Sequence, residues 1–118
     1  MASGPDFSTV DSQAKAEQLA REGRLEPVYL LPPMFGGQDI PPNIVYVPVG
    51  TAAIKQGIDE NVVGPLAADG TVTRYSATPE YTGSSFVSIA ITIVASNPGS
   101  FTTTLNLWGE ALDRNPEA

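Results

Sequence analysis

Two side chains on which much enzyme chemistry depends are missing: the 118 residues contain no cysteine and no histidine. Without cysteine there are no disulfides and no thiolate metal ligands. Without histidine the commonest general base, the usual activator of a nucleophile and the commonest neutral metal ligand are gone as well. Ser–His, Cys–His and zinc sites are thereby excluded. Positive charge is scarce too, since six basic residues against thirteen acidic ones leave a formal charge of −7. Such a chain is repelled by phosphate backbones and anionic membranes. Its cations, Lys15, Arg21, Arg24, Lys55, Arg74 and Arg114, are scattered rather than clustered. Neither nucleic acid nor membrane is expected as a partner, and no cofactor is expected. Apolar runs fall far short of the roughly 20 residues that span a bilayer. The opening Met1 to Asp6 has neither the basic region nor the apolar core of a signal peptide. Together with the missing cysteine, this sets a cytoplasmic location as the expectation.

Enough chain remains for one domain over 1–118, with a loose lead-in at 1–7 and a frayed tail at 113–118. Proline and glycine, 11 of each, imply many turns and short elements. The densest such stretch runs from Leu30 to Pro48, where Pro32, Pro33, Gly36, Gly37, Pro41 and Pro42 separate two β-type runs. Proline fixes φ and restricts its predecessor, while glycine reaches φ values that others resist. A shaped, semi-rigid loop between two strands is expected, and loops of that kind often carry function.

Ser8 is read as a helix N-cap with Asp11 as capping-box partner, and good helix formers continue from Val10 to Glu22. Gly23 is placed as the C′ residue, with Leu25 as its hydrophobic contact. The apolar face of this helix is thin, so it should be peripheral. A second helix starts at Gly50 or Thr51. Ile54, Ile58, Val62 and Leu66 recur at every fourth position and predict its buried stripe, with Lys55, Gln56, Asp59 and Glu60 on other faces. Pro65 should kink or end it near Val63.

Strands are predicted over 27–31, 44–47, 71–78, 86–96 and 101–107. In the fourth, Val87, Ile89, Ile91 and Ile93 alternate with Ser88, Ala90 and Thr92. Asn97-Pro98-Gly99-Ser100 is a tight turn joining it to the fifth. The element order predicts an α+β domain: an antiparallel sheet of about five strands, one main packed helix and a peripheral N-terminal helix. One core is expected to hold Ile54, Ile58, Ile89, Ile91, Ile93 and Leu105.

The remaining chemistry is carboxylate, lysine or tyrosine chemistry. Asp59 and Glu60 are adjacent, so on a helix they point apart, and Asp59 reads as a solvated charge. No D-x-D-x-D-type loop offers a hard-cation site. Gly36-Gly37 lacks the following lysine of a phosphate loop and precedes Gln38-Asp39, whose charge repels phosphate.

Leu30-Leu31-Pro32-Pro33-Met34-Phe35-Gly36-Gly37, followed by Asn43-Ile44-Val45-Tyr46-Val47-Pro48, resembles a segment of the DNA/RNA non-specific endonuclease-like domains that end bacterial polymorphic toxins. The similarity covers residues 28 to 96, and Asn43 matches the family's Asn in position. The family's catalytic His has no counterpart here, so the resemblance implies a non-catalytic relative. The expected function is a small acidic, non-enzymatic protein-binding module, with an immunity or accessory protein of a bacterial toxin system as its sharpest form and a protein, notably a basic one, as its partner. Two rivals stand beside it: a toxin-type, nuclease-like enzyme using carboxylates and a metal, and a structural domain that self-associates. Candidate contact residues are Met34, Phe35, Gln38 and Asp39 in the stiff loop, and Trp108. Alternation along the last strand puts Trp108 on the face of Thr102, Thr104 and Asn106, hence half-exposed. For Phe35 an inward, sheet-plugging position is the open alternative.

Overall fold

The computed structural model describes residues 6 to 113. The lead-in over 1–5 and the tail over 114–118 lie outside the described residues. The fold is α+β, as expected, but its strands form two antiparallel sheets rather than one. A ribbon of β1 (Leu25–Tyr29) and β2 (Ile44–Pro48) stands beside a meander of β3 (Val72–Glu80), β4 (Ala90–Pro98) and β5 (Ser100–Asn106). Val28 pairs with Val45 in the ribbon, and Ile91 pairs with Pro79 and Leu105 in the meander. A continuous five-stranded sheet is broken beside β2. There the chain meets Tyr46 at an isolated parallel bridge to Val87, with Ser88 N–H donating to the Tyr46 carbonyl at 3.3 Å. By the next residue the backbone is bonded elsewhere: Ile89 N–H reaches Glu80 O, and Ile89 O accepts from Leu107 N–H.

The two sheets share a core across their inner faces. Val28, Val45 and Val47 pack with Ile91 and Ile93, flanked by Ile58 and Leu105. A second cluster gathers Leu25, Ala16, Ile89 and Trp108, and a third Val63, Val72 and Ala95. Alternation holds along β4 from Ile91 onward: Ile91, Ile93 and Ala95 are buried, while Thr92 and Val94 are half-buried. It fails at the first strand residue and just before it, since Ala90 and Ser88 are buried too, the Ser88 hydroxyl bonding Glu80 O and Ala90 O.

Helix α1 (Gln13–Arg21) starts later than its sequence suggests. The cap is Ser12, whose hydroxyl accepts from Lys15 N–H at 3.2 Å. Ser8 does not cap it because Phe7 and Val10 are drawn into the core and hold the preceding backbone extended or turned. Phe7 therefore belongs to the fold and not to a loose lead-in. It meets Trp108 edge to face at 5.6 Å. The helix end is as read: Gly23 has φ of +79° and Arg24 N–H reaches back to Leu19 O.

Helix α2 (Thr51–Ile58) runs through a π-helical turn (Asp59–Val63) into α3 (Gly64–Ala68). Pro65 neither ends nor breaks it, because its missing N–H falls in the first turn after the wide segment, where Gly64 N–H already reaches Asp59 O. The buried side chains are Thr51, Lys55, Asp59 and Val63. Ile54 and Val62 are exposed, at 58% and 38%, so Ile54 is not in the core. The inward stripe lies one residue round from the apolar one. A four-residue spacing drifts by roughly 40° at each repeat along an ideal helix, and the wider π turn counters that drift. No helix among the described residues is long and apolar enough to cross a membrane.

Candidate functional site

The loop from Leu30 to Asn43 is clasped at its base. Asn43 Oδ1 accepts from Leu31 N–H at 2.8 Å, and its Nδ2 donates to Leu31 O and Gln38 O at 2.9 and 3.0 Å. One side chain thus closes both ends of the loop, and Asn43 serves as a side-chain clasp. Gly37 presses on the same place: a Cβ there would stand 1.7 Å from Leu31 O, so no other residue fits. Short 3-10 turns at Pro33–Phe35 and Pro41–Asn43 use the prolines as helix starters.

This clasp divides the sequence-predicted contact residues among three environments. Met34 is 51% exposed and lines a cleft of about 360 Å³ between the loop and α2. Phe35 turns inward and packs on Tyr75, ring centres 5.2 Å apart, against the Val63 cluster. Gln38 and Asp39 are exposed, further along the loop. Trp108 is a correction: it is only 2% exposed. β5 ends at Asn106, so the strand phase does not extend to Trp108. The indole enters the Phe7 cluster, where Nε1 donates to Val87 O at 3.3 Å.

The cleft beside Met34 is walled by a closed polar triangle. Lys55 Nζ donates to Asp59 Oδ2 at 2.8 Å and to Tyr75 Oη at 2.9 Å, and Tyr75 Oη donates to Asp59 Oδ1 at 2.7 Å. The Lys55 and Asp59 side chains are each 4% exposed, so Asp59 is a buried partner and not the solvated charge its sequence suggests. Burial lowers the Lys55 pKa, with Asp59 opposing the shift. Burial first, and then the Asp59 carboxylate, raise that of Tyr75 well above the usual phenol range. Both Asp59 oxygens are taken up by the other two members, so the triangle satisfies itself. Its evident work is to fasten the α2–π segment to β3. Glu26 does similar work at the other end of the helix, where Oε2 accepts from Gly50 and Ala52 N–H at 2.9 and 2.8 Å. Among the described residues no group of three or more His, Cys, Asp or Glu side chains is placed to hold a metal ion.

The second opening is a groove of about 430 Å³ beside another part of the loop. Its floor is β2 at Ile44, Val45 and Tyr46. Tyr81 and Phe86 stand over one wall, 45% and 47% exposed, and Asp39, Pro41 and Glu17 form others. Phe86 is held there by its backbone, whose N–H donates to Val10 O at 2.7 Å, while Ser85 Oγ donates to Phe7 O at 2.8 Å. Ile40, next to Asp39 in sequence, is 44% exposed. Burial raises the Tyr46 pKa; Glu17 adds to that and Arg21 opposes it. Burial, and then Asp39, raise that of Tyr29. Of the predicted contact residues, Asp39 alone lines this groove. Tyr81 and Phe86 escape sequence reading because one is placed in a turn and the other at the start of a strand that begins four residues later. The available signal is a pair of aromatics within a Gly-Ser turn, Tyr81-Thr82-Gly83-Ser84-Ser85-Phe86. Comparisons with protein-family models, with curated proteins and with solved structures return no match.

Proposed function

We propose that this chain is a small acidic protein-binding module that docks a basic protein partner and performs no chemistry of its own. One observation carries the reading. Exposed aromatics, Tyr81 and Phe86, converge with the Glu17 and Asp39 carboxylates on one groove, and the loop beneath it is fixed by Asn43. Aromatic side chains offer a large contact area at low entropic cost and are enriched where interfaces hold their energy. A pre-shaped loop loses little freedom on docking. The net charge of −7 favours a partner of opposite sign. An immunity or accessory protein of a bacterial toxin system, working in the cytoplasm, is the specific form of this proposal, supported by the sequence resemblance over residues 28 to 96.

The test is affinity capture from extracts of the encoding organism with wild type and a Tyr81→Ala/Phe86→Ala variant, each captured protein then being purified and titrated back. The reading expects a basic partner that binds wild type directly and is lost with the variant. Titration showing no direct partner, or cleavage of DNA or RNA by the purified chain with magnesium or manganese, would overturn it.

A further inference from the structure

The groove offers more than a generic contact surface, because its two kinds of wall select one kind of side chain. We infer that it receives an arginine-bearing, apolar segment of a partner protein, an inference that rests on the binding-module reading above. The apolar part follows from Ile44, Pro41 and the exposed ring of Phe86, which only a non-polar neighbour covers without stranding polar groups. The cationic part follows from Glu17 and Asp39 beside the rings of Tyr81 and Phe86.

A guanidinium suits that setting better than an ammonium. It is planar, weakly hydrated, stacks on aromatic faces and bridges to carboxylates at the same time. Both carboxylates sit on a fixed frame. Gln13 Nε2 donates to Glu17 Oε2 at 3.0 Å, and Asp39 follows Gln38, whose carbonyl accepts from the Asn43 clasp at 3.0 Å. Arg21, one turn beyond Glu17 on α1, is the cation felt at Tyr46. It lies on the α1 side, so the incoming arginine is expected towards Asp39 and Phe86. A phosphate-bearing ligand would meet Glu17 and Asp39 directly, which argues for protein over nucleic acid.

Three capped hexapeptides, alternating leucine with arginine, with lysine or with glutamate, serve as probes in titrations followed by backbone amide NMR of the full chain. The leucine–arginine peptide should shift the signals of Glu17, Asp39, Tyr81 and Phe86 and bind tightest, with the lysine peptide weaker and the glutamate peptide silent. Phe86→Ala should weaken the arginine peptide about fivefold, the scale of one exposed cation–π contact. Asp39→Asn should weaken it by a similar factor and flatten its salt dependence. Both residues are exposed, so both variants should fold, and their unshifted spectra check this. Equal binding by all three peptides, shifts confined to another face, or no shift at all would overturn the arginine assignment. A captured partner whose footprint falls on another face would overturn the groove while leaving the binding-module reading intact.

Discussion

The cleft beside Met34 and the groove beside Phe86 are lined by different parts of one clasped loop and share no residue, and they use charge in opposite ways. In the cleft wall, Lys55 and Asp59 are removed from water and closed on each other and on Tyr75. In the groove, Glu17 and Asp39 share the lining with exposed rings and leave their charge available to a second molecule. The residues with the chemistry most often associated with a site, a buried lysine and carboxylate with a half-buried phenol, are those already committed to holding the fold. The residues without such chemistry, two aromatics and two surface carboxylates, remain available. Burial and partner satisfaction, more than residue type, separate structural charge from recognition charge.

The sharpest way to break this comparison is to open the triangle. Asp59→Ala leaves the Lys55 ammonium buried without a counter-charge, and urea denaturation should show a loss of about 3–5 kcal/mol. A loss under about 1 kcal/mol would mean that Lys55 reaches water and that the cleft is open to ligands. Replacing Lys55 and Asp59 together by methionine and leucine should cost far less than Asp59→Ala alone, since both desolvation penalties vanish with the charges.

The clasp should matter next. Asn43→Ala removes the partners of Leu31 N–H, Leu31 O and Gln38 O. Unpairing part-buried backbone groups costs about 1–3 kcal/mol. The same variant should lower affinity at the groove, because Asp39 loses its fixed position. Unchanged stability with unchanged binding would make the loop a passive connection.

A smaller effect concerns pH. The Tyr75 phenol has its pKa raised in the fold above the ordinary value of 10.0. Above pH 10 the unfolded chain gives up this proton while the folded chain keeps it. The folded state then binds more protons, so stability falls as pH rises. Tyr75→Phe should be less stable at pH 8, having lost two hydrogen bonds of the triangle, yet fall less steeply between about pH 10 and 11. Parallel slopes for the two proteins would remove Tyr75 from the account of alkaline sensitivity.

Much of this architecture was legible in the residues. The turn at Asn97 to Ser100 and the alternation of Ile91, Ile93 and Ala95 mark the β4–β5 hairpin, because a strand paired on both sides obeys the period of two. Gly23 marks a helix end because only glycine adopts its φ cheaply. The stiff loop was legible from its prolines. What stayed hidden depended on partners distant in sequence. Lys55 and Asp59 have the same four-residue spacing as Ile54 and Ile58, and polarity put the wrong stripe inside. Only Tyr75, sixteen residues beyond Asp59, makes the polar stripe buriable. Trp108 was assigned by extending a strand that stops at Asn106, and the parallel bridge at Val87, which splits the sheet, has no local signature. The groove is half visible: Asp39 lies within the proline- and glycine-rich stretch, whereas Phe86 is brought there by bonds to distant residues, its N–H on Val10 O and Ser85 Oγ on Phe7 O, and Tyr81 follows the end of β3.

The central claim is that recognition resides in the groove and not in the buried triangle, and the Phe86→Ala variant tests it most directly when stability and partner affinity are measured on the same preparation. The account predicts stability within about 0.5 kcal/mol of wild type, as for an exposed side chain. It predicts affinity for the captured partner reduced about tenfold or more, equivalent to about 1.4 kcal/mol. An unchanged affinity, or a loss of stability of about 3 kcal/mol like that of a buried Phe→Ala change, would contradict it.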